Sequence, residues 1–150
     1  MSKTAPNEAT APIPNAAKEG GGKPSKYTKE ELMTIFDEIM FSGEYKETIA
    51  IKGKLQVVFT TRSAAATSEI TKELDVKQFN LLSSMQEYRA LLSICHSLVS
   101  YHGKDLSQLS IAGRKTFLEK LPSVVVSALS NALVEFDAKT SAALEEQEAF

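Results

Sequence analysis

Residues 43–62 read "GEYKETIAIKGKLQVVFTTR", and they break the pattern of everything that follows them. Apolar and polar residues alternate here around Lys52-Gly53, the period of a strand. Ile49 and Ile51 share one face of a first strand, and Leu55, Val57, Phe59 and Thr61 share one face of a second. Lys52-Gly53 offers a two-residue turn, because glycine accepts the positive φ such turns require. The stretch is therefore a β-hairpin over about residues 45–62. A lone two-stranded hairpin is marginal in water. It must lean on helices of its own chain or pair with another chain.

Both flanks have the period of helices. Upstream, "YTKEELMTIFDEIMFSG" carries Thr28 and, three residues on, Glu31, a capping box in which hydroxyl and carboxylate each satisfy a free backbone N–H. Leu32, Ile35, Phe36, Ile39 and Met40 then form one apolar stripe, and Gly43 stops the helix, placing it over about 28–42. Downstream, Ile70, Leu74, Leu81, Met85, Tyr88, Leu92, Cys95 and Val99 keep heptad-like spacing. That segment reads as one long helix or as two broken near Asp75 to Asn80, ending at Gly103. A shorter helix over about 110–121 carries Phe117, Leu118 and Leu121. Pro122 closes it, and Ser123 is read as the cap of a last helix lined by Val125, Leu129, Leu133, Phe136 and Leu144. The expected fold class is mainly α: a helical bundle with one N-terminal β-hairpin and a disordered N-terminal arm.

The arm is residues 1–26, "MSKTAPNEATAPIPNAAKEGGGKPSK", which lack periodicity and hold every proline except Pro122. Such a composition offers no burial to offset chain entropy. The remaining 27–150 form one domain, in line with a length of 150 residues and an apolar fraction of 43%. Lys and Arg number 17 against 19 Asp and Glu, a formal charge of −2. That balance argues against nucleic acid or an anionic membrane as partner, since both demand a basic surface. One cysteine excludes an internal disulfide and an all-cysteine metal site, and fits a reducing compartment. No apolar run approaches the ~18 residues of a membrane span. The N-terminus lacks the apolar core of a signal peptide.

No residue constellation carries chemistry. "GGGKPS" at 20–25 has Pro24 where a phosphate loop needs Ser or Thr, and Ala17 where it needs glycine. Cys95 and His96 are adjacent, so on a helix they point about 100° apart and form no dyad. His96 and His102 lie six residues apart, off the spacing that brings metal ligands to one helical face. Cys95 falls in the apolar seam, as a small hydrophobe, and His102 before Gly103 suits a helix C-terminus. The pairs Glu30-Glu31, Asp37-Glu38 and Glu145-Glu146 are adjacent rather than facing and read as solvated. "GRKTFLEK" at 113–120 sets basic residues near an aromatic, but Glu119 dilutes the charge. No catalytic residue, cofactor site or metal site is expected.

The hairpin also sits in a longer run, "IFDEIMFSGEYKETIAIKGKLQVVFTTRSA", in which an acidic-apolar helix leads through Gly-Glu-Tyr into strands ending Thr-Arg-Ser-Ala. This run resembles small tail or baseplate assembly proteins of long-tailed bacteriophages: the tail assembly chaperones and, in T-even-like phages, the baseplate hub assembly proteins. "LVSYHGKDLS", "FLEKLPSVVVSALSNALVEFD" and the acidic end are similar to the same group, so the resemblance spans about residues 32–150. It rests on the texture of whole segments and brings no functional residue set with it. It implies a non-enzymatic morphogenesis protein that binds other phage tail or baseplate proteins in the host cell cytoplasm, with self-association left open. Many tail chaperones carry a second, frameshift-extended domain; none is expected here, so a structural virion subunit stands as the alternative. A helical adaptor or regulatory module is a further one. The residues expected to meet a partner are Ile49, Ile51, Val57 and Phe59 on the hairpin, and Leu81, Met85, Tyr88 and Leu92 on the helical seam, the last four reading first as core and only second as interface.

Overall fold

The computed structural model describes residues 26–148, and the expected arm at 1–26 falls outside that range apart from Lys26. The chain divides into Met1–Glu31 and Leu32–Phe150. In the first unit, Lys26 stands over the Tyr27 ring at 5.6 Å. There too, the Thr28 hydroxyl accepts the amide of Glu31 at 3.1 Å, one half of the expected capping box. Helix α1, Lys29–Ser42, starts at this cap. Its end is a left-handed Gly43 at φ 81°, whose amide returns to Ile39 O at 2.9 Å. Leu32 and Ile35 of its stripe are buried, whereas Met40 is 62% exposed.

In the second unit the hairpin forms where its alternation places it, as β1 (Lys46–Ile51) and β2 (Leu55–Thr60). Lys52 (φ 56°) and Gly53 (φ 70°) are both left-handed, and the Lys54 amide closes the turn on Ile51 O at 3.1 Å. Pairing resumes at Ile51 opposite Leu55, so Lys54 is an extra residue in what the sequence reads as a two-residue connection.

The larger correction concerns its surroundings. The hairpin is half of a four-stranded antiparallel sheet of order β1-β2-β3-β4. Strand β3 (Leu98–Tyr101) comes from residues expected to end a helix, and β4 (Lys104–Asp105) from the connection expected after Gly103. Two helices precede them, α2 (Ala64–Val76) and α3 (Leu82–Ser97), so the long heptad segment is broken at 77–81. The chain passes directly from α3 into β3 at Leu98 and reverses through His102 (φ 48°) and Gly103 (φ 87°). His102 thus occupies a tight hairpin turn rather than a helix C-terminus. The spacing of four from Cys95 to Val99 fits a helix, yet it equally keeps parity along a strand, which is why the period misleads there.

Helix α4 (Ile111–Glu119) is capped by the Ser110 hydroxyl, which accepts the Gly113 amide at 3.1 Å. Helix α5 (Ser123–Glu148) begins with the Val125 and Val126 amides on Pro122 O, so Ser123 is its first residue and not its cap. The sheet lays Val57, Phe59 and Leu98 against Ile94, Cys95, Leu118, Leu129, Leu133 and Phe136 from α3, α4 and α5. Phe136 is the hinge of this core, with Tyr45 stacked at 6.0 Å and Phe59 tilted at 5.9 Å. A second cluster joins Ile70 and Leu74 of α2 to Leu92 of α3. Mainly α is therefore the class, but the helices bury their apolar faces against a sheet as well as against one another. Ala143, and not the 37% exposed Leu144, takes the buried place near the end of α5.

Candidate protein-docking edge

Within the sheet, β1 has a neighbour on one side, and the opposite edge is open among the described residues. The Thr61 amide donates to Tyr45 O at 3.0 Å, so Tyr45 and Thr61 face each other across the ladder. In an antiparallel ladder, alternate residues turn their N–H and C=O inward. Glu47, Ile49 and Ile51 then follow Tyr45 in pointing to β2. The main-chain groups of Lys46, Thr48 and Ala50 point away from it, and their side chains are exposed. The other edge is of a different kind: β4 is two residues long, both charged and exposed, which is how natural sheets blunt an edge.

The β1 edge is held rigidly by its inner face. Glu47 accepts the Tyr45 hydroxyl at 2.7 Å and pairs with Lys139 of α5 at 3.0 Å. At the strand's start the Tyr45 amide donates to the Thr61 hydroxyl at 3.1 Å. Beside the edge, Ile49 and Ile51 line a cleft of about 510 Å³ with Val124, Ala128, Asn131 and Ala132 of α5. Val124 is 73% exposed there. An open main-chain edge next to pockets for alternate side chains is the arrangement that takes up an extended segment as an added strand.

The expected partner residues divide accordingly. Ile49 and Ile51 are half-buried at the cleft. Val57 and Phe59 are enclosed in the core, at 1% and 0% exposure, as is Leu92 at 1%. Val57 and Phe59 present no surface to a partner, because pairing with β3 and covering by α5 use the face that a lone hairpin would leave open, and Leu92 is covered by Ile70 and Leu74 of α2. Met85 and Tyr88 are half-buried at the α2–α3 contact. The Tyr88 hydroxyl donates to Glu73 at 2.9 Å and accepts from Lys115 at 2.8 Å, while Lys77 stands 4.3 Å over its ring. That hydroxyl also holds the Lys115 ammonium pKa above its ordinary value. Leu81 is 62% exposed just ahead of α3 and joins neither cluster.

Sequence reasoning missed a half-buried polar junction that fixes the far end of β2. Arg62 donates to the Ser97 hydroxyl and to Asp137, each at 2.7 Å. Ser97 is fully buried. The three residues lie far apart in the chain, so no local signal joins them. A cleft of about 330 Å³ opens beside this junction, lined by Arg62, Thr67, Asp137 and Thr140. Arg62's charge is already matched by Asp137, which gives the cleft a structural rather than an anion-binding character. Cys95 is fully buried, and loss of hydration pushes its thiol pKa up to about 12, the reverse of an activated nucleophile. Among the described residues, no group of three His, Cys, Asp or Glu is placed to hold a metal ion, and no helix is long and apolar enough to cross a membrane. Comparison with family models, curated proteins and solved structures returns no match for this chain.

Proposed function

We propose that this chain is a non-enzymatic bacteriophage morphogenesis protein that binds tail or baseplate components while the virion is assembled. The observation that carries the reading is the edge of β1 that is open among the described residues, with outward main-chain groups at Lys46, Thr48 and Ala50 beside the cleft lined by α5. An assembly factor must hold a partner that is not yet in its final place, and strand addition suits this. Main-chain hydrogen bonds supply affinity, and the shallow cleft selects the alternate side chains. The likeness of residues 32–150 to phage assembly proteins supplies the kind of partner.

The test is affinity purification of the tagged chain from cells in which the phage is assembling, with quantitative mass spectrometry. Tail or baseplate proteins should be enriched with the wild type and lost with Thr48→Pro, which removes an outward N–H without touching the β1–β2 ladder. Recovery without any tail or baseplate protein overturns the proposal. Abundant chain in purified particles would replace the assembly-factor reading with that of a virion subunit.

A further inference from the structure

We infer that before a partner arrives the β1 edge is closed by a second copy of this chain, the two β1 strands pairing antiparallel about Thr48. This rests on the proposed role of the edge and names its occupant in the free protein. A six-residue edge with a single outward charge, Lys46, is otherwise an exposed template for indiscriminate pairing.

The sequence of β1 selects one register. Centred on Thr48, two-fold pairing sets Thr48 opposite its own copy and Lys46 opposite Ala50, so every outward amide and carbonyl of the strand finds a complement. A slide of two or four residues one way brings Lys46 against the second copy's Lys52 or Lys54. A slide of four the other way sets Lys46 against itself, and a slide of two that way sets Glu47 against itself. Directly opposed like charges destabilise a sheet, whereas Thr–Thr is a favourable cross-strand pair. On the α5 face the same register places Ile49 beside the second copy's Glu47, a carboxylate already engaged by Tyr45 and Lys139. Ile51 falls beside the second copy's Tyr45, which sets an aromatic ring against it. The pairing is isologous, so it closes at two chains and does not propagate.

Sedimentation of the full chain is expected to approach twice its 16.4 kDa mass as the concentration is raised above about 100 μM, the weak range for a small specific contact. Thr48→Lys and Thr48→Glu should each halve that mass, since each sets a charge opposite itself. An equimolar mixture of the two should restore the dimer, because lysine then faces glutamate. Thr48→Cys should give a disulfide-linked dimer on mild oxidation, with the buried Cys95 taking no part. A monomeric wild type overturns the inference, as does a dimer that both charge variants leave intact. A monomer that still recovers tail or baseplate proteins defeats this inference alone, while a dimer that recovers none defeats the functional reading alone.

Discussion

At the scale of single residues, chemistry is set by what each side chain is buried against. Cys95 is enclosed by the sheet and α4, and its thiol ionises near pH 12. An aromatic disulfide reagent at pH 8 should therefore modify it no faster than the chain opens, and at once in denaturant; rapid reaction of the folded protein would contradict that burial. His96 is a subtler case. Desolvation lowers its pKa below 6.5, and the Glu69 carboxylate opposes this only in part. Its unfolded form then binds a proton that the folded form refuses. Stability should fall as the pH drops from about 6.5 toward the folded pKa, and level off below it. Urea titrations at pH 7.5 and 5.5 measure this, and His96→Gln should flatten the difference. At Arg62, replacement by Ala strips the fully buried Ser97 hydroxyl of its partner, an expected loss of about 1–3 kcal/mol in the same titrations. Asp137→Asn should cost less, because that pair is partly open to solvent. The place of Cys95 in the apolar seam is legible from spacing; the meeting of Arg62 with Ser97 and Asp137 is not, since only the closed chain brings them together.

At the scale of elements, caps and turns decide where each piece stops. Glycine is required at 103 because the backbone is left-handed there, with nothing within 4 Å of an added Cβ. Gly103→Ala should cost about 1–2 kcal/mol, all of it conformational. Gly113 makes the opposite case. It sits in α4, where an added Cβ meets the Leu109 Cβ and the Ser110 hydroxyl at 3.4 Å, so Gly113→Ala should stabilise by about 0.5 kcal/mol. Thermal melting of the two variants, with midpoints shifted in opposite senses, checks both. The hairpin and α1 are legible because their signals are local: strict alternation around Lys52-Gly53, and Thr28 with Glu31 ahead of an apolar stripe. β3 and β4 are not, because four residues of strand following a helix without a break carry no period of their own.

At the scale of the second unit, Phe59 links the sheet to α5. Fully buried and tilted against Phe136, it is the side chain whose truncation should hurt most. Phe59→Ala is expected to cost about 3–5 kcal/mol. That is a large share of the 5–15 kcal/mol typical of a domain, and a denaturant midpoint would show it. Thr48, exposed on the edge strand, should by contrast tolerate substitution with little change in that midpoint, which separates the surface of β1 from its packed face.

Alternation, capping and turn residues, all readable within a few positions, determined by themselves that this chain is mainly helical and that residues 46–60 form a hairpin. Tertiary structure alone decided that the hairpin is half of a sheet, that Val57 and Phe59 face inward, and that the outer edge of β1 is unpaired among the described residues. The physical reason is the distance over which each interaction acts. Backbone propensity and side-chain period are properties of neighbours in sequence, whereas strand pairing and burial depend on residues that meet only once the chain has closed on itself.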